Sequence, residues 1–391
     1  MLTTLILAAL AIPATLSCAY LALLTLLSWA PQLPPRSSRR LCFDVIVPAH
    51  NEESGITRTV ASLLAMDWPP ERFRVLVVAD NCSDATATVA RAAGATVLER
   101  QDAVRRGKGY ALAHAFDMSV REGFATAVVV VDADAEVSPN LLEAFATRIE
   151  RGAVAIQAHY GILNPGASWR TELITIAKGA FHIVRSRARE HLGLSCGIRG
   201  NGWCVTHGLL AEIPYRYYSL TEDVEFGIAL GLAGHRVEYA GEAHADADMA
   251  SSEKTARTQR QRWEKGRFQL VRARTMPLLW AAVRRRSALC LDLAADLIVP
   301  PLSYLVLNVA VLGVAATAVA LHDPAAWRWA WWSLACMLLL MVHVLRGWQL
   351  SGIGIRGIAA LAHVPAFLVW RIRLLVSRKS GEWVRTEREK R

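Results

Sequence analysis

Between Met1 and Arg36 the chain carries no charged side chain, and the run from Leu2 to Ala30 exceeds the roughly 20 residues that cross a bilayer. A signal peptide has a basic leading stretch and a short apolar core. This run lacks the first and is too long for the second, so it predicts an uncleaved transmembrane anchor over residues 1–35. Arg36, Arg39 and Arg40 follow at once. Basic flanks favour the cytoplasmic side, which places the N-terminus outside and the chain from residue 40 in the cytoplasm, under an inner (plasma) membrane.

A second apolar region begins near Leu291. Leu291–Leu321 is interrupted only by Asp292, Asp296 and Asn308, and Trp327, Trp329, Trp331 and Trp332 sit where an aromatic belt sits. Ala330–Leu345 can return, so residues 291–347 predict two transmembrane helices. Arg356, His363, Arg371 and Arg373 interrupt Gly352–Val376. A full crossing there would carry the basic tail Arg378–Arg391 outside, so residues 352–391 read as an interfacial or re-entrant helix followed by a basic cytoplasmic tail. Residues 271–290 read as an interfacial basic amphipathic segment.

A composition of 53% hydrophobic and 20% charged residues excludes a disordered chain and a small disulfide scaffold. The net charge of +10 lies largely beside the apolar runs, as in Arg284–Arg286. Anionic membrane lipids are therefore the expected partner, and nucleic acid is not. The seven cysteines form no CxxC pair, which argues for reduced thiols and against a zinc site.

The middle of the chain alternates. Strands are expected at Phe43–Val47, Arg74–Ala79, Thr96–Glu99 and Ala127–Val131, and helices at Ile56–Leu64, Ala85–Ala93 and from Gly107 to Ser119. That pattern predicts an α/β domain with a mostly parallel sheet over residues 40–270. Ligands of such sheets bind at the carboxyl ends of the strands. There lie Pro48-Ala49-His50-Asn51-Glu52, Asp80 and Asp132-Ala133-Asp134.

Two carboxylates two residues apart at the end of a buried strand can approach one divalent cation and its bound phosphates. Asp246-Ala247-Asp248 repeats the motif with no apolar strand before it and reads as a solvated turn, with His244 a loop residue. Thr221-Glu222-Asp223 opens a helical pattern. Thr221 can cap that helix, which leaves Glu222 or Asp223 available as a general base. In Gln259-Arg260-Gln261-Arg262-Trp263, Arg262 offers a fork for phosphate oxygens and Trp263 a face for a sugar ring.

This ordered set, Pro48–Glu52, Asp80, Lys108, Asp132-x-Asp134, Thr221-Glu222-Asp223 and Gln259-x-x-Arg262-Trp263, resembles the family 2 glycosyltransferases. More narrowly it resembles their membrane-embedded branch of cellulose, chitin, hyaluronan and glycolipid synthases. The resemblance implies a GT-A nucleotide-sugar-binding fold flanked by transmembrane helices and inversion at the anomeric carbon. It places Pro48, Ala49, Asn51, Glu52, Asp80 and Lys108 near a nucleotide-sugar, with UDP the commonest carrier. It places Asp132 and Asp134 on Mg2+ or Mn2+ and the diphosphate, Asp223 with Glu222 as the catalytic acids, and Gln259, Arg262 and Trp263 at the diphosphate and acceptor. Ser195–Trp203 falls where relatives position the acceptor, with a Gly200-Asn201-Gly202-Trp203 core only loosely like the polymer synthases. The expected acceptor is a growing exopolysaccharide or oligosaccharide. The alternatives are a single transfer to a membrane lipid and a non-catalytic nucleotide-sugar-binding scaffold. Glu382–Arg388 resembles a tail of the same branch.

Overall fold

The computed structural model describes residues 2–249 and 253–376; the side chains of residues 2, 253–259, 261–262 and 373–376, and the Glu382–Arg388 motif, lie outside that description. The chain divides into two units. One is an α/β unit of Pro31–Asn164 and Arg189–Ala295; the other is helical and takes Met1–Ala30, Pro165–Ala188 and the chain from Asp296 on.

Helix α1 (Leu2–Leu26) is followed by β1 (Phe43–Ala49), α2 (Ile56–Leu64), β2 (Phe73–Asp80), α3 (Thr86–Ala92), β3 (Thr96–Arg100), α4 (Lys108–Glu122) and β4 (Ala127–Val130). From β1 to β4 these are the elements expected from the sequence, with their ends moved by at most a few residues. Then come β5 (Ala135–Val137), α5 (Leu141–Ile149), β6 (Ala155–Ile162), α6 (Trp169–Lys178), α7 (Arg185–His191), β7 (Trp203–Thr206), α8 (His207–Glu212), α9 (Glu222–Ala233), β8 (Glu238–Ala247) and α10 (Glu253–Arg285). The chain continues through α11 (Ala288–Ile298), α12 (Leu302–Ala320), α13 (Trp327–Ser351), α14 (Arg356–Leu361) and α15 (Val364–Val376).

Among the described residues eight strands form one sheet in the order β3-β2-β1-β4-β7-β6-β8-β5. Strands β1 to β4 are parallel, β7 runs antiparallel to both β4 and β6, β6 is parallel to β8, and β5 is antiparallel to β8. Val45, Val47, Val75, Val77, Val129 and Val131 join a core with α2 and α5. The alternate positions Ile46, Leu76, Val78, Val128 and Val130 join a second core with α4 and α9. Both faces are covered, which is why these strands read as unbroken apolar runs.

Among the described residues three helices, all in the helical unit, are long and apolar enough to cross a membrane: Thr3–Leu26, Leu302–Ala320 and Pro324–Ser351. Ala14, Cys18 and Leu21 of α1 pack with Leu305 and Val309 of α12 and with Cys336 and Leu340 of α13. The other side of α1 leaves Leu5, Ile12, Leu16 and Leu23 exposed, a helix apolar all round. The apolar run expected from Leu291 is broken at Pro300-Pro301 into α11 and α12, because proline lacks the amide and clashes with the preceding turn. The two acids in that run have partners: Arg189 Nε lies 2.8 Å from Asp292, and Arg185 Nη1 lies 3.0 Å from Asp296. Within the described residues α14 and α15 have 6 and 13 residues, each shorter than a crossing requires.

The segment Pro165–Ala188, read from sequence as part of a continuous α/β domain, belongs to the helical unit. Its α6 opens with a reciprocal cap, Ser168 and Thr171 each accepting from the other's backbone amide at 3.2 and 2.9 Å. It then widens into a π-helical stretch, Gly179–Val184. There the backbones meet: a Cβ on Gly179 would lie 2.3 Å from the Gly347 carbonyl oxygen of α13, and one on Gly347 would lie 2.7 Å from Ala180. Gly347→Val should therefore overpack this contact and destabilise the helical unit by about 1–3 kcal/mol. A lowered melting temperature of the detergent-solubilised chain is expected; an unchanged one would mean that α13 does not pack this tightly.

Candidate active site

Pro48 and Ala49 close β1 beside Val78 and Ala79 of β2, whose last residue is Asp80. Asn51 then turns left-handed with φ 58°. It ties the two loops together, donating from Nδ2 to Ser83 Oγ at 3.1 Å and accepting from the Ser83 amide at 2.7 Å. The Glu52 amide donates to Thr86 Oγ1 at 2.7 Å, and His50 Nδ1 lies 2.8 Å from the Asp80 carbonyl. Asp80 is nearly buried, and its Oδ1 accepts from Arg100 Nη1 at 2.5 Å and from Asn81 Nδ2 at 3.1 Å. Arg100 also lies over the Tyr110 ring, which stacks on Tyr218 at 4.0 Å.

The second group of residues gathers around Lys108, the first residue of α4. Its Nζ donates to Asp132 Oδ1 at 2.6 Å and to the Gly200 carbonyl at 3.0 Å. Gly109 follows because α4 runs against the Tyr215–Tyr218 segment; a Cβ there would lie 2.2 Å from the Tyr217 carbonyl oxygen. Burial works against the Lys108 charge, but the carboxylates of Asp132, Glu222 and Asp223 outweigh it and hold the ammonium well above its ordinary range. Glu222 and Asp223 occupy the first turn of α9, and Thr221 makes no side-chain cap hydrogen bond. Instead α10 crosses at Thr221, where a Cβ on Gly266 would lie 2.5 Å from Thr221 Cγ2. Burial lifts the Glu222 carboxyl to about 7, and the adjacent Asp223 charge adds to the rise. Burial raises Asp223 too, with Lys108 pulling the other way.

Several residues that the sequence reading did not single out build this site. Thr59 Oγ1 donates to the Ala133 carbonyl at 2.9 Å and Arg58 Nη2 to the Asp134 carbonyl at 3.2 Å, so α2 holds the Asp132-Ala133-Asp134 turn by its backbone. Arg58 also pairs with Asp248 at 2.9 Å. The second Asp-x-Asp is therefore not a solvated turn: Asp246 lies within β8, paired in register with Glu136 of β5 and Gly161 of β6, and His244 Nδ1 sits 2.8 Å from Asp246. Tyr160 senses Asp132, Asp134, Asp223 and Asp246 together; burial and those charges keep its phenol protonated well above the ordinary range. Asn201 Oδ1 accepts from the Asp132 amide at 2.9 Å. Tyr160 and Asp246 stand as polar residues within strand sequence, whereas Arg58 and Thr59, on α2, carry no such signal.

Gln259, Arg262 and Trp263 all fall on α10, ahead of Gly266. The side chains of Gln259 and Arg262 lie outside the described residues; Trp263 is exposed. Among the described residues no three His, Cys, Asp or Glu side chains come together to enclose an ion. The donor set nevertheless suits a cation that keeps other oxygen ligands, since one or two carboxylates plus substrate phosphates are enough for Mg2+. Asp132, Asp134, Asp223 and Asp246 set several negative charges around one phenol.

A family model described as "Glycosyltransferase like family 2" matches residues 40–266, more than half of the chain. A probable glycosyltransferase of Bacillus subtilis is 23% identical over 233 residues, covering 57% of this chain and 54% of that protein. A 4,4'-diaponeurosporenoate glycosyltransferase of Staphylococcus aureus is 31% identical over 121 residues, covering 30% of this chain and 31% of that one. The chain thus spans about half and about a third of these relatives' lengths. The mannosyltransferase of Pyrobaculum calidifontis, solved with GDP-mannose and Mn2+, superposes with a TM-score of 0.51 at 19% identity over 87% of this chain and 98% of that one. This likeness gives the α/β unit a GT-A-type fold.

The Glu222 carboxyl predicts a pH dependence. Its folded-state pKa is raised, to about 7 from 4.5. The stability it contributes is complete below about 4.5 and is lost as pH rises through about 7. Melting temperature should fall across that window in the unaltered chain, and the fall should shrink in Glu222→Gln. Parallel curves for the two would remove the buried acid assigned here.

Proposed function

The chain belongs to glycosyltransferase-like family 2, and on that footing we propose that it transfers a sugar from a nucleotide-sugar, a UDP-sugar, to an acceptor hydroxyl with inversion. The observation that carries this reading is the pair of acids with raised pKa at the start of α9, facing the Lys108–Asp132 ion pair at the end of a central strand. A carboxylate raised toward neutrality suits a general base at physiological pH.

Asp223 accepts the proton of the acceptor hydroxyl while that oxygen forms its bond to the anomeric carbon. The bond from that carbon to the diphosphate oxygen breaks, and the nucleoside diphosphate leaves with the electron pair. Burial keeps the affinity of Asp223 for the proton high, and the Asp132 charge adds to it. Lys108 adds positive charge where the diphosphate departs. Asp132 and Asp134 would hold a divalent ion, Mg2+ or Mn2+, which would supply further charge neutralisation. Pro48, Ala49, Asn51, Glu52 and Asp80 hold the nucleoside on the other part of the strand edge. Gln259 and Arg262 serve the diphosphate, and Trp263 the acceptor. A non-catalytic scaffold would have no use for two buried acids against a lysine.

The acceptor is a growing saccharide or a membrane lipid. The name of the Staphylococcus relative, a 4,4'-diaponeurosporenoate glycosyltransferase, favours an acceptor other than a growing saccharide. The three apolar helices and the basic residues after α1 support a plasma-membrane protein with its α/β unit in the cytoplasm.

Membranes carrying the chain should transfer label from one of a panel of radiolabelled UDP-sugars and GDP-mannose, and chelation should stop it until Mg2+ or Mn2+ is restored. A product of fixed small size that extracts into organic solvent supports the lipid; a ladder supports the saccharide. Asp223→Asn should lose about 10²–10⁴-fold in rate with nucleotide affinity retained, and near-normal turnover would rule Asp223 out as the base. A reporter after residue 40 should read cytoplasmic and one at His322 external; the reverse would invert the proposed topology.

A further inference from the structure

Gln157 lies within β6 and is 1% exposed, and its side-chain hydrogen bonds go to backbone groups rather than to Lys108, Asp132 or Asp223. A buried primary amide in an apolar strand is costly unless every polar atom is met. Here each is met by the Arg199–Gly202 loop and by the next carbonyl of β6, that of Ala158. Oε1 accepts from the Arg199 amide at 2.8 Å. Nε2 donates toward the carbonyls of Asn201 at 2.7 Å, Ala158 at 2.9 Å and Gly202 at 3.2 Å. The network fixes which end is nitrogen, because the flipped amide would set an oxygen against three carbonyls.

The loop so held, Arg199–Gly202, turns left-handed at Gly200 and Gly202, with φ 89° and 69°. It reaches three parts of the site. The Gly200 carbonyl accepts from Lys108 Nζ at 3.0 Å. Asn201 Oδ1 accepts from the Asp132 amide at 2.9 Å, and Asn201 Nδ2 reaches the Ala245 carbonyl beside Asp246 at 3.5 Å. A Cβ on Gly200 would stand 3.5 Å from Asp223 Oδ2. The loop therefore receives the lysine, fixes the strand-end aspartate and borders the proposed base.

We infer that Gln157 is the positioning residue of this site: through the Arg199–Gly202 loop it sets the separation of Lys108, Asp132 and Asp223 without touching substrate. The inference deepens the glycosyl-transfer reading and rests on it for its kinetic consequence, whereas its structural consequence stands alone.

The test is Gln157→Glu in the full chain, nearly isosteric but with an acceptor where the three carbonyls need a donor. Gln157→Met, which fills the space without either function, serves if the first does not fold. Hydrogen exchange at the Asp132 amide should speed up by roughly tenfold or more while the strands β1 and β2 keep their protection. With the nucleotide-sugar that supports turnover, kcat should fall about 10–100-fold, the scale of a small misplacement of reacting groups, with KM for that donor little changed. In a Lys108→Met background the Gln157 substitution should cost less, since one of the three contacts through which the loop acts is then gone. Unchanged exchange at Asp132, or losses that add fully in the double variant, would reduce Gln157 to an ordinary core residue. Absence of turnover in the unaltered chain would instead defeat the transfer reading, and the exchange result would still decide the role of Gln157.

Discussion

One ammonium group faces three carboxylates in the α/β unit, and much of the local architecture follows from that balance. Asp132, Glu222 and Asp223 lie close enough that each feels Lys108. Gathering acids away from water is unfavourable unless a counter-charge and hydrogen bonds meet them. The counter-charge arrives on α4, whose start is brought close by a glycine at 109 that lets the helix meet the Tyr217 backbone. The hydrogen bonds arrive from the Arg199–Gly202 loop. Raised proton affinity at Glu222 and Asp223 is the residue of an incomplete balance.

The sheet accounts for the convergence of these groups. Its parallel part, β3-β2-β1-β4, sends Ala49, Asp80 and the Asp132 turn out at one edge. At β4 the order changes to antiparallel pairing with β7, so the chain entering β7 delivers Gly200 and Asn201 to that edge from the opposite direction. Strands β6, β8 and β5 then add Tyr160, Asp246 and the residues after Asp134. A purely parallel sheet would offer only strand ends there. The mixed sheet offers strand ends and strand starts, and the site uses both.

The parallel part is legible in the sequence because strands buried on both faces must be apolar throughout, as Val128–Val131 is. Two aspartates directly after such a run fall at the open edge of the sheet, where ligands bind. Glu222 and Asp223 are legible as a pair, though the cap expected from Thr221 is not made. The second half is harder. Strand β8 reads Glu238-Tyr239-Ala240-Gly241-Glu242-Ala243-His244-Ala245-Asp246-Ala247 and holds no β-branched residue. Its extended form comes from pairing with β5 and β6, which lie far away in sequence, so Asp246 reads locally as part of a turn. Arg58 and Gln157 give no signal of their role, since both act on backbone carbonyls that a sequence does not locate. Pro300-Pro301 is in plain view and breaks the apolar run as proline chemistry requires.

The reassignment of Pro165–Ala188 bears on how the catalytic unit can be handled. Leu173, Ile176, Ile183 and Val184 are buried within the helical unit, although the chain enters this segment from β6 and returns to the α/β unit at Arg189. A fragment cut from Pro31 to Ala295 would keep these side chains and lose the helices that cover them, leaving a greasy flap. Such a fragment would aggregate unless a detergent or a redesigned polar loop in place of residues 165–188 took over the cover. A soluble version of this protein therefore requires an internal replacement as well as trimming at its two ends.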